Sequence, residues 1–349
     1  MPLGTWPTPL EPTQLRGQRV WMKREDLSDP TPGGYAGNKI RPLEVVFGAA
    51  RAAGKQEIWA TGAYGSNHAL ATVVHARRQG LVGGAVLWPQ PWSRTAADNL
   101  VATASLADHL RFVPSVVAMP LAAVAIGLSR SAWVMPPGAA TPLGAAGHAA
   151  AAIELMTQLQ KRKERPPDTI VLPTGSTCTA VGLLVGTALA AELGLVDHAR
   201  LPRIIAVRVT PWPVTDRLRM ARMATATAAF MTRLGGPYLR ASRLRDFLAR
   251  LTVTGEALGP GYGHPTPAGW AAIADLWHHG IRLDTTYSAK AAGWLLAHLG
   301  DSKRGLGPEH TVVFWLTKSA PPLPPTDVGR VASLPVDIRR WLDGVHRPS

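Results

Sequence analysis

The chain has 349 residues, enough for one large domain or two of ordinary size. Hydrophobic residues make up 46% and charged residues only 17%, which supports sizeable cores and excludes a disordered chain. A net charge of +14 would suit a nucleic-acid partner, but the arginines are dispersed and no helix-turn-helix or zinc-finger pattern accompanies them. No apolar run is long enough to span a membrane, the most apolar being the short stretch from Val116 to Leu128. The N-terminus, Met1 to Pro7, lacks the basic start and apolar core of a signal peptide, and the one cysteine, Cys178, has no intrachain partner. The expectation is a cytoplasmic protein that takes a small molecule and binds neither nucleic acid nor membrane.

The middle of the chain alternates. Glu57 to Thr61 reads as a strand, and Gly62-Ala63-Tyr64-Gly65 as the turn after it. A helix then runs to about Gln79, with Ser66 or Asn67 as N-cap. Gly83 to Trp88 is a second strand, Ser93 to Ala104 a second helix and Leu110 to Val113 a third strand. Such units predict a parallel sheet covered by helices. A long helix is expected from about Gly144 to Lys163, closed by basic residues that suit a helix C-terminus. Pro166-Pro167 marks a domain crossing, after which Asp168 to Pro173, Arg203 to Val209 and Thr311 to Leu316 read as strands. Pro321 to Pro325 reads as an extended tail segment.

Three kinds of segment bear on chemistry. Lys39 follows a Gly37-Asn38 corner and can project into a pocket while its neighbours start a helix. The nearest chemistry for such a lysine is a Schiff base with pyridoxal phosphate, although an isolated lysine is usually a solvated surface group. The strand ending at Pro173 leads into Thr174-Gly175-Ser176-Thr177-Cys178-Thr179 and a further helix. Small residues there let N–H groups converge, as in a phosphate cradle or an ordinary capped turn, but neither a Walker nor a dinucleotide glycine pattern is present. Tyr262 and Tyr287, two of only five tyrosines, fall in loops or at helix starts. No metal-ligand spacing and no Gly-x-Ser-x-Gly elbow occurs, and Asp98, Asp108 and Asp284 are carboxylates without an evident partner.

Six motifs in order resemble the D-cysteine desulfhydrase and 1-aminocyclopropane-1-carboxylate (ACC) deaminase family. They are Lys23 to Leu27, Gly37 to Arg41, Gly65 to Ala69, Gly175 to Thr179, Gly261 to Pro267 and Asp284 to Ser288. The resemblance runs from about residue 3 to 320. It implies an α/β, fold type II pyridoxal phosphate enzyme, with two open, twisted, mostly parallel sheets flanked by helices and the cofactor in the cleft between domains. Residues 1–52 and 165–349 would form the large domain, residues 53–164 the small one, and the enzyme would be a homodimer acting on a small amino acid.

The resemblance also implies roles. Lys39 would carry the cofactor and act as the base at Cα. Asn67 would bond the cofactor's phenolic oxygen and lie beside the substrate. Ser66 and His68 would meet the substrate carboxylate, with Ser66, Tyr262 and Tyr287 on the catalytic, substrate side. Thr174, Gly175, Ser176, Thr177, Cys178 and Thr179 would hold the phosphate, and Thr317 would face the pyridine nitrogen. A neutral hydroxyl there does not force that nitrogen to stay protonated, which suits β-elimination.

The chain departs from the family pattern at three places. Cys178 stands where glycine is usual, Lys318-Ser319 where Gly-Gly is usual, and Pro42 where a basic residue is usual. Ser288 stands where ACC deaminases carry glutamate, and His68 leans toward the desulfhydrases. The expected reaction is α,β-elimination from a β-substituted amino acid, D-cysteine first, giving a 2-oxo acid and ammonia. Cyclopropane ring opening is the alternative within the family; altered or lost catalysis in a biosynthetic pathway, motivated by Lys318-Ser319, is the alternative outside it.

Overall fold

The computed structural model describes residues 1–31 and 34–344. The chain opens with a hairpin, β1 (Leu10–Leu15) and β2 (Gln18–Arg24), followed by α1 (Ile40–Ala52). The alternating region is β3 (Glu57–Ala63), α2 (Asn67–Arg78), β4 (Val82–Trp88), α3 (Arg94–Leu106), β5 (His109–Phe112), α4 (Met119–Ser129) and β6 (Trp133–Met135). Then come α5 (Pro142–Lys161), β7 (Thr169–Thr174), α6 (Cys178–Glu192), β8 (Arg203–Arg208), α7 (Arg217–Arg233), α8 (Ala241–Ala249) and β9 (Leu251–Thr254). The last elements are α9 (Pro267–Trp277), α10 (Ser288–His298), β10 (Val312–Leu316), α11 (Val328–Ala332) and α12 (Val336–Leu342). No helix among the described residues is long and apolar enough to cross a membrane.

The strands form two sheets. One has six strands in the order β1-β2-β10-β7-β8-β9, the other four in the order β5-β4-β3-β6. Every pairing is parallel except that of β1 with β2, at the edge of the larger sheet. Central strands covered on both faces must be apolar throughout. β7 and β10 meet this condition, since all of their residues are buried. One core packs α5 and α6 against the larger sheet, through Ala152, Leu155, Leu183, Leu184, Ile170 and Trp315. A second packs α1 and α2 against the smaller sheet, through Leu43, Phe47, Leu70, Ile58 and Leu87.

The helix starts follow their caps. Ser66 accepts from Ala69 N at 3.2 Å and Ser93 from Ala96 N at 3.2 Å, which places α2 and α3 as the sequence suggests. The long helix begins slightly earlier than expected, because Thr141 is its cap and Pro142 its first residue. The C-terminus corrects the expectation of a tail. After the proline segment, α11 and α12 return to the smaller sheet's core, where Leu334, Ile338 and Trp341 are buried. Trp341 Nε1 donates to Gln90 O at 2.9 Å.

Candidate active site

The motif residues gather where strands of both sheets end. β3 leads to Ser66, β7 to the Gly175 loop and β10 to Thr317, so all three segments leave C-terminal strand ends, where α/β proteins bind ligands.

Lys39 is the N-cap residue of α1 and makes no side-chain capping bond. Burial pushes its amine below the usual lysine range, against a smaller opposing effect of Cys178. A Cβ at Gly138 would strike Ser176 Oγ and lie 3.3 Å from Lys39 Nζ, so Gly138 leaves the room in which that amine sits. Asn38 N donates to Thr317 O at 3.1 Å, and Asn38 Nδ2 donates to Thr179 Oγ1 at 2.8 Å. The turn holding Lys39 is therefore tied both to the end of β10 and to the start of α6.

The loop before α6 has the features of an anion cradle. Thr177, its N-cap, has φ 73°, a left-handed conformation unusual for a β-branched residue, and its side chain caps nothing. The hydroxyls of Thr174 and Thr177 are buried with no protein partner. Together with the free N–H groups at the N-terminus of α6, they fit a phosphate. Thr179 is engaged elsewhere: its hydroxyl meets Asn38 and lies 3.3 Å from His148 Nε2, a buried neutral ring. That leaves Thr177 the better-placed side-chain donor. Cys178 Sγ donates to Ala139 O at 3.3 Å, and burial pushes the thiol up to about 11, so it is a packed, protonated group.

Across the cleft, Asn67, Asn99, Gln90, Thr95, Tyr262, Thr286 and Tyr287 line one cavity. The Tyr262 and Tyr287 hydroxyls are 2.8 Å apart. Burial pushes Tyr262 to about 12 and Tyr287 well above its ordinary value, so both are protonated phenols at neutral pH. His68 is buried with both ring nitrogens unpartnered. Burial, aided by the charge of Lys39, pulls it down to about 3, so it is neutral. A larger cavity of about 1020 Å³, bordered by Glu192, Asp197, Arg203, Arg243 and Arg250, holds none of the motif residues.

Several of the site's supports carry no signal in the sequence. Asp284 has partners after all: its carboxylate accepts from Thr286 N at 3.1 Å, Tyr287 N at 2.8 Å and Ser288 N at 2.9 Å, and from Ser288 Oγ at 2.6 Å. It is the brace that sets Tyr287 at the start of α10. Asp98 pairs with Arg94 at 3.0 Å, and Asp108 accepts from Gly83 N at 2.8 Å. Lys290 Nζ, fully enclosed, donates to Leu258 O and Gly261 O at 2.7 Å each and so fastens the loop carrying Tyr262. Asp284→Ala is expected to cost about 1.5–3 kcal/mol of stability through loss of its hydrogen bonds to the turn that leads into α10, read from denaturant unfolding, and to lower turnover more than cofactor retention. Turnover left at the wild-type level would show that Tyr287 is placed by other means.

The model of the family described as "Pyridoxal-phosphate dependent enzyme" matches residues 1–318. The chain is 36% identical over 330 residues to nocardicin C-9' epimerase of Nocardia uniformis subsp. tsuyamanensis, covering 91% of this chain and 92% of that protein. It is 29% identical over 311 residues to D-cysteine desulfhydrase of Yersinia pestis (strain Pestoides F), covering 85% and 87%. Among solved structures, an ACC deaminase homologue superposes with a TM-score of 0.69 at 24% identity, covering 95% of each chain, which shows the fold. Family match, fold and phosphate cradle agree: this chain belongs to the pyridoxal-phosphate-dependent enzymes of fold type II, in the group of the ACC deaminases and D-cysteine desulfhydrases, and its cofactor is pyridoxal phosphate.

Proposed function

We propose that the enzyme removes the Cα proton of an amino-acid substrate and returns a proton to the same carbon, inverting it. The observation that carries this reading is the pairing, around one cleft, of a buried amine base with a pair of protonated phenols. Pyridoxal phosphate, when bound, supplies the electron sink that makes the Cα proton acidic. Lys39 would hold the cofactor and, once freed by the substrate, take the proton; burial favours its neutral form, which a base requires. Ser66 and the N-terminus of α2 would receive the substrate carboxylate, with His68 a neutral wall beside it. Thr174, Gly175, Ser176, Thr177 and the backbone at Cys178 would hold the phosphate, and Thr317 would face the ring nitrogen. The Tyr262–Tyr287 pair would deliver the returning proton. Inversion stands first because the epimerase relative is more similar than the desulfhydrase relative and spans nearly the whole chain.

A second reading has its own support. The same phenols can protonate a departing β-substituent, and the desulfhydrase relative makes elimination the outcome when the substrate carries a leaving group. Ring opening of the cyclopropane substrate is third, because Ser288 is spent on Asp284 and no carboxylate stands in its place. One experiment separates these readings. Amino acids of both configurations, D-cysteine, β-chloroalanine and 1-aminocyclopropane-1-carboxylate are incubated with holoenzyme in D2O. Deuterium at Cα with loss of optical purity supports inversion; 2-oxo acid with ammonia and little exchange supports elimination. Ammonia from the cyclopropane substrate alone would overturn both, as would retention of every Cα proton with the cofactor bound.

A further inference from the structure

Lys318 is a departure from the family pattern that lies inside the site. Its backbone is fastened to the turn of Lys39: Asn38 N donates to Thr317 O at 3.1 Å and Ala36 N to Ser319 Oγ at 3.1 Å. Gly37, at φ 107°, makes that approach feasible, since a Cβ there would lie 2.8 Å from Thr317 O. From this anchor the side chain crosses to α2 and α3. Its Nζ donates to Tyr35 OH at 2.9 Å, Asn67 Oδ1 at 3.1 Å and Asn99 Oδ1 at 3.4 Å. None of these three partners is a carboxylate.

An ammonium can only donate, whereas an amide presents either end. Lys318 therefore favours one facing of two amides, and the Gly65 carbonyl, which can only accept, favours the same facing of Asn99. Asn99 must turn its oxygen to Lys318, which sends Asn99 Nδ2 to Gly65 O at 2.9 Å and to Asn67 Oδ1 at 2.8 Å. Asn67 Oδ1 then collects three donors, from Asn99, Lys318 and Tyr35, whose hydroxyl lies at 2.8 Å. The Asn67 NH2 is left without a protein acceptor among the described residues, and Asn67 lines the cleft. With a small residue at 318, Asn67 Oδ1 would lose one of its three donors and this edge of the cleft its cation, while the Gly65 carbonyl would still hold Asn99.

We propose that Lys318 is a positioning residue that reinforces the Asn67 amide with its NH2 toward the ring oxygen of the cofactor, and that it places a cation at that edge of the site. The inference rests on the reading above, in which Lys39 carries the cofactor, and on the role at the ring oxygen that the family resemblance implies for Asn67. A fixed N–H donor and a nearby cation both favour the anionic ring oxygen and disfavour a proton on the nitrogen joining Lys39 to the cofactor. The bound cofactor of the wild-type enzyme should therefore lose that proton at lower pH than it does without Lys318.

The test is the visible absorbance of the holoenzyme against pH for the wild type, Lys318→Met and Lys318→Arg, after borohydride has identified the labelled lysine. The apparent pKa of the bound cofactor is expected to rise by about one unit or more in Lys318→Met and to stay near wild type in Lys318→Arg, which keeps a donor-only cation. Thermal midpoints of the apoproteins should stay together, because the polar cluster keeps its other bonds. If Lys318→Met gives no soluble holoenzyme, Lys318→Gln removes the charge with a polar side chain, and the same rise is expected. A titration unchanged in the neutral variant, with the label on Lys39, overturns the role of Lys318 alone. Label on another lysine overturns the reading of the site and this role with it.

Discussion

Lys39→Ala should retain the fold and lose the reaction. Turnover should fall at least about a thousandfold, since one residue supplies both the covalent hold on the cofactor and the base at Cα. Borohydride should then fix no cofactor to the chain, although the Gly175–Thr179 loop still binds it reversibly. Stability should change little, because burial works against the charged amine in the folded state and the ammonium has no carboxylate partner to lose. The outcome that would sink the assignment is cofactor still trapped on a lysine peptide with turnover intact. Lys290 and Lys318 are the other lysines near the site, and each is committed: Lys290 to two backbone carbonyls, Lys318 to the Asn67 cluster.

The strand–helix alternation from residue 57 to 113 was legible because its caps and its apolar runs agree. Ser66 and Ser93 cap the helices that follow β3 and β4, and those strands are apolar because helices cover them. The edge hairpin was hidden for the same physical reason in reverse. Only the ends of β1, Leu10 and Leu15, are buried, half-buried and exposed residues alternate between them, and the strand contains Pro12, which an edge strand tolerates and a central strand does not. The C-terminal helices span only 5 and 7 residues, too few for a helical period to register, and they are held by tertiary burial of Leu334, Ile338 and Trp341.

The same division runs through the site. Lys39, Ser66, Asn67 and the Thr174–Thr179 loop stand in segments whose order along the chain matches the family, and the structure brings them to one cleft with Tyr262, Tyr287 and Thr317. Their supports stand in no such pattern. Tyr35, Asn99, His148 and Lys290 act on the site from other helices or loops, and a hydrogen-bond partner far away in sequence leaves no local trace. Asp284 is the instructive case. It looked unpartnered because its partners are backbone N–H groups of the next turn, which no residue-type pattern displays.

Removing Arg41 should be the most damaging change outside the cleft. Its guanidinium donates to Glu25 at 2.8 and 2.9 Å and to Glu154 at 2.9 Å through two nitrogens, and it stacks 3.5 Å over the Trp6 ring. Lys23 completes the network, 2.5 Å from Glu154. Glu25 is fully buried, and its backbone oxygen accepts from Gly37 N at 3.0 Å, which joins the network to the turn that holds Lys39. Arg41→Met keeps much of the packing but leaves a buried carboxylate short of its main partner. Breaking a buried pair in this way should cost about 3–5 kcal/mol, read from the denaturant midpoint at neutral pH. The pH dependence carries the sign. Burial alone would raise the Glu25 pKa, but Arg41 first, then Lys23 and Thr8, hold it below the usual carboxylate range. A folded-state pKa below the unfolded one gives stability that is present above the unfolded value and lost as pH falls through the folded one. The gap between wild type and Arg41→Met should therefore be widest near pH 7 and narrow on acidification, from the pH at which the buried Glu25 of the variant takes up its proton down to the lower pH at which the wild-type carboxyl does. A gap that stays constant down to pH 3 would mean that Arg41 stabilises the fold by packing on Trp6 and not through the charge of Glu25.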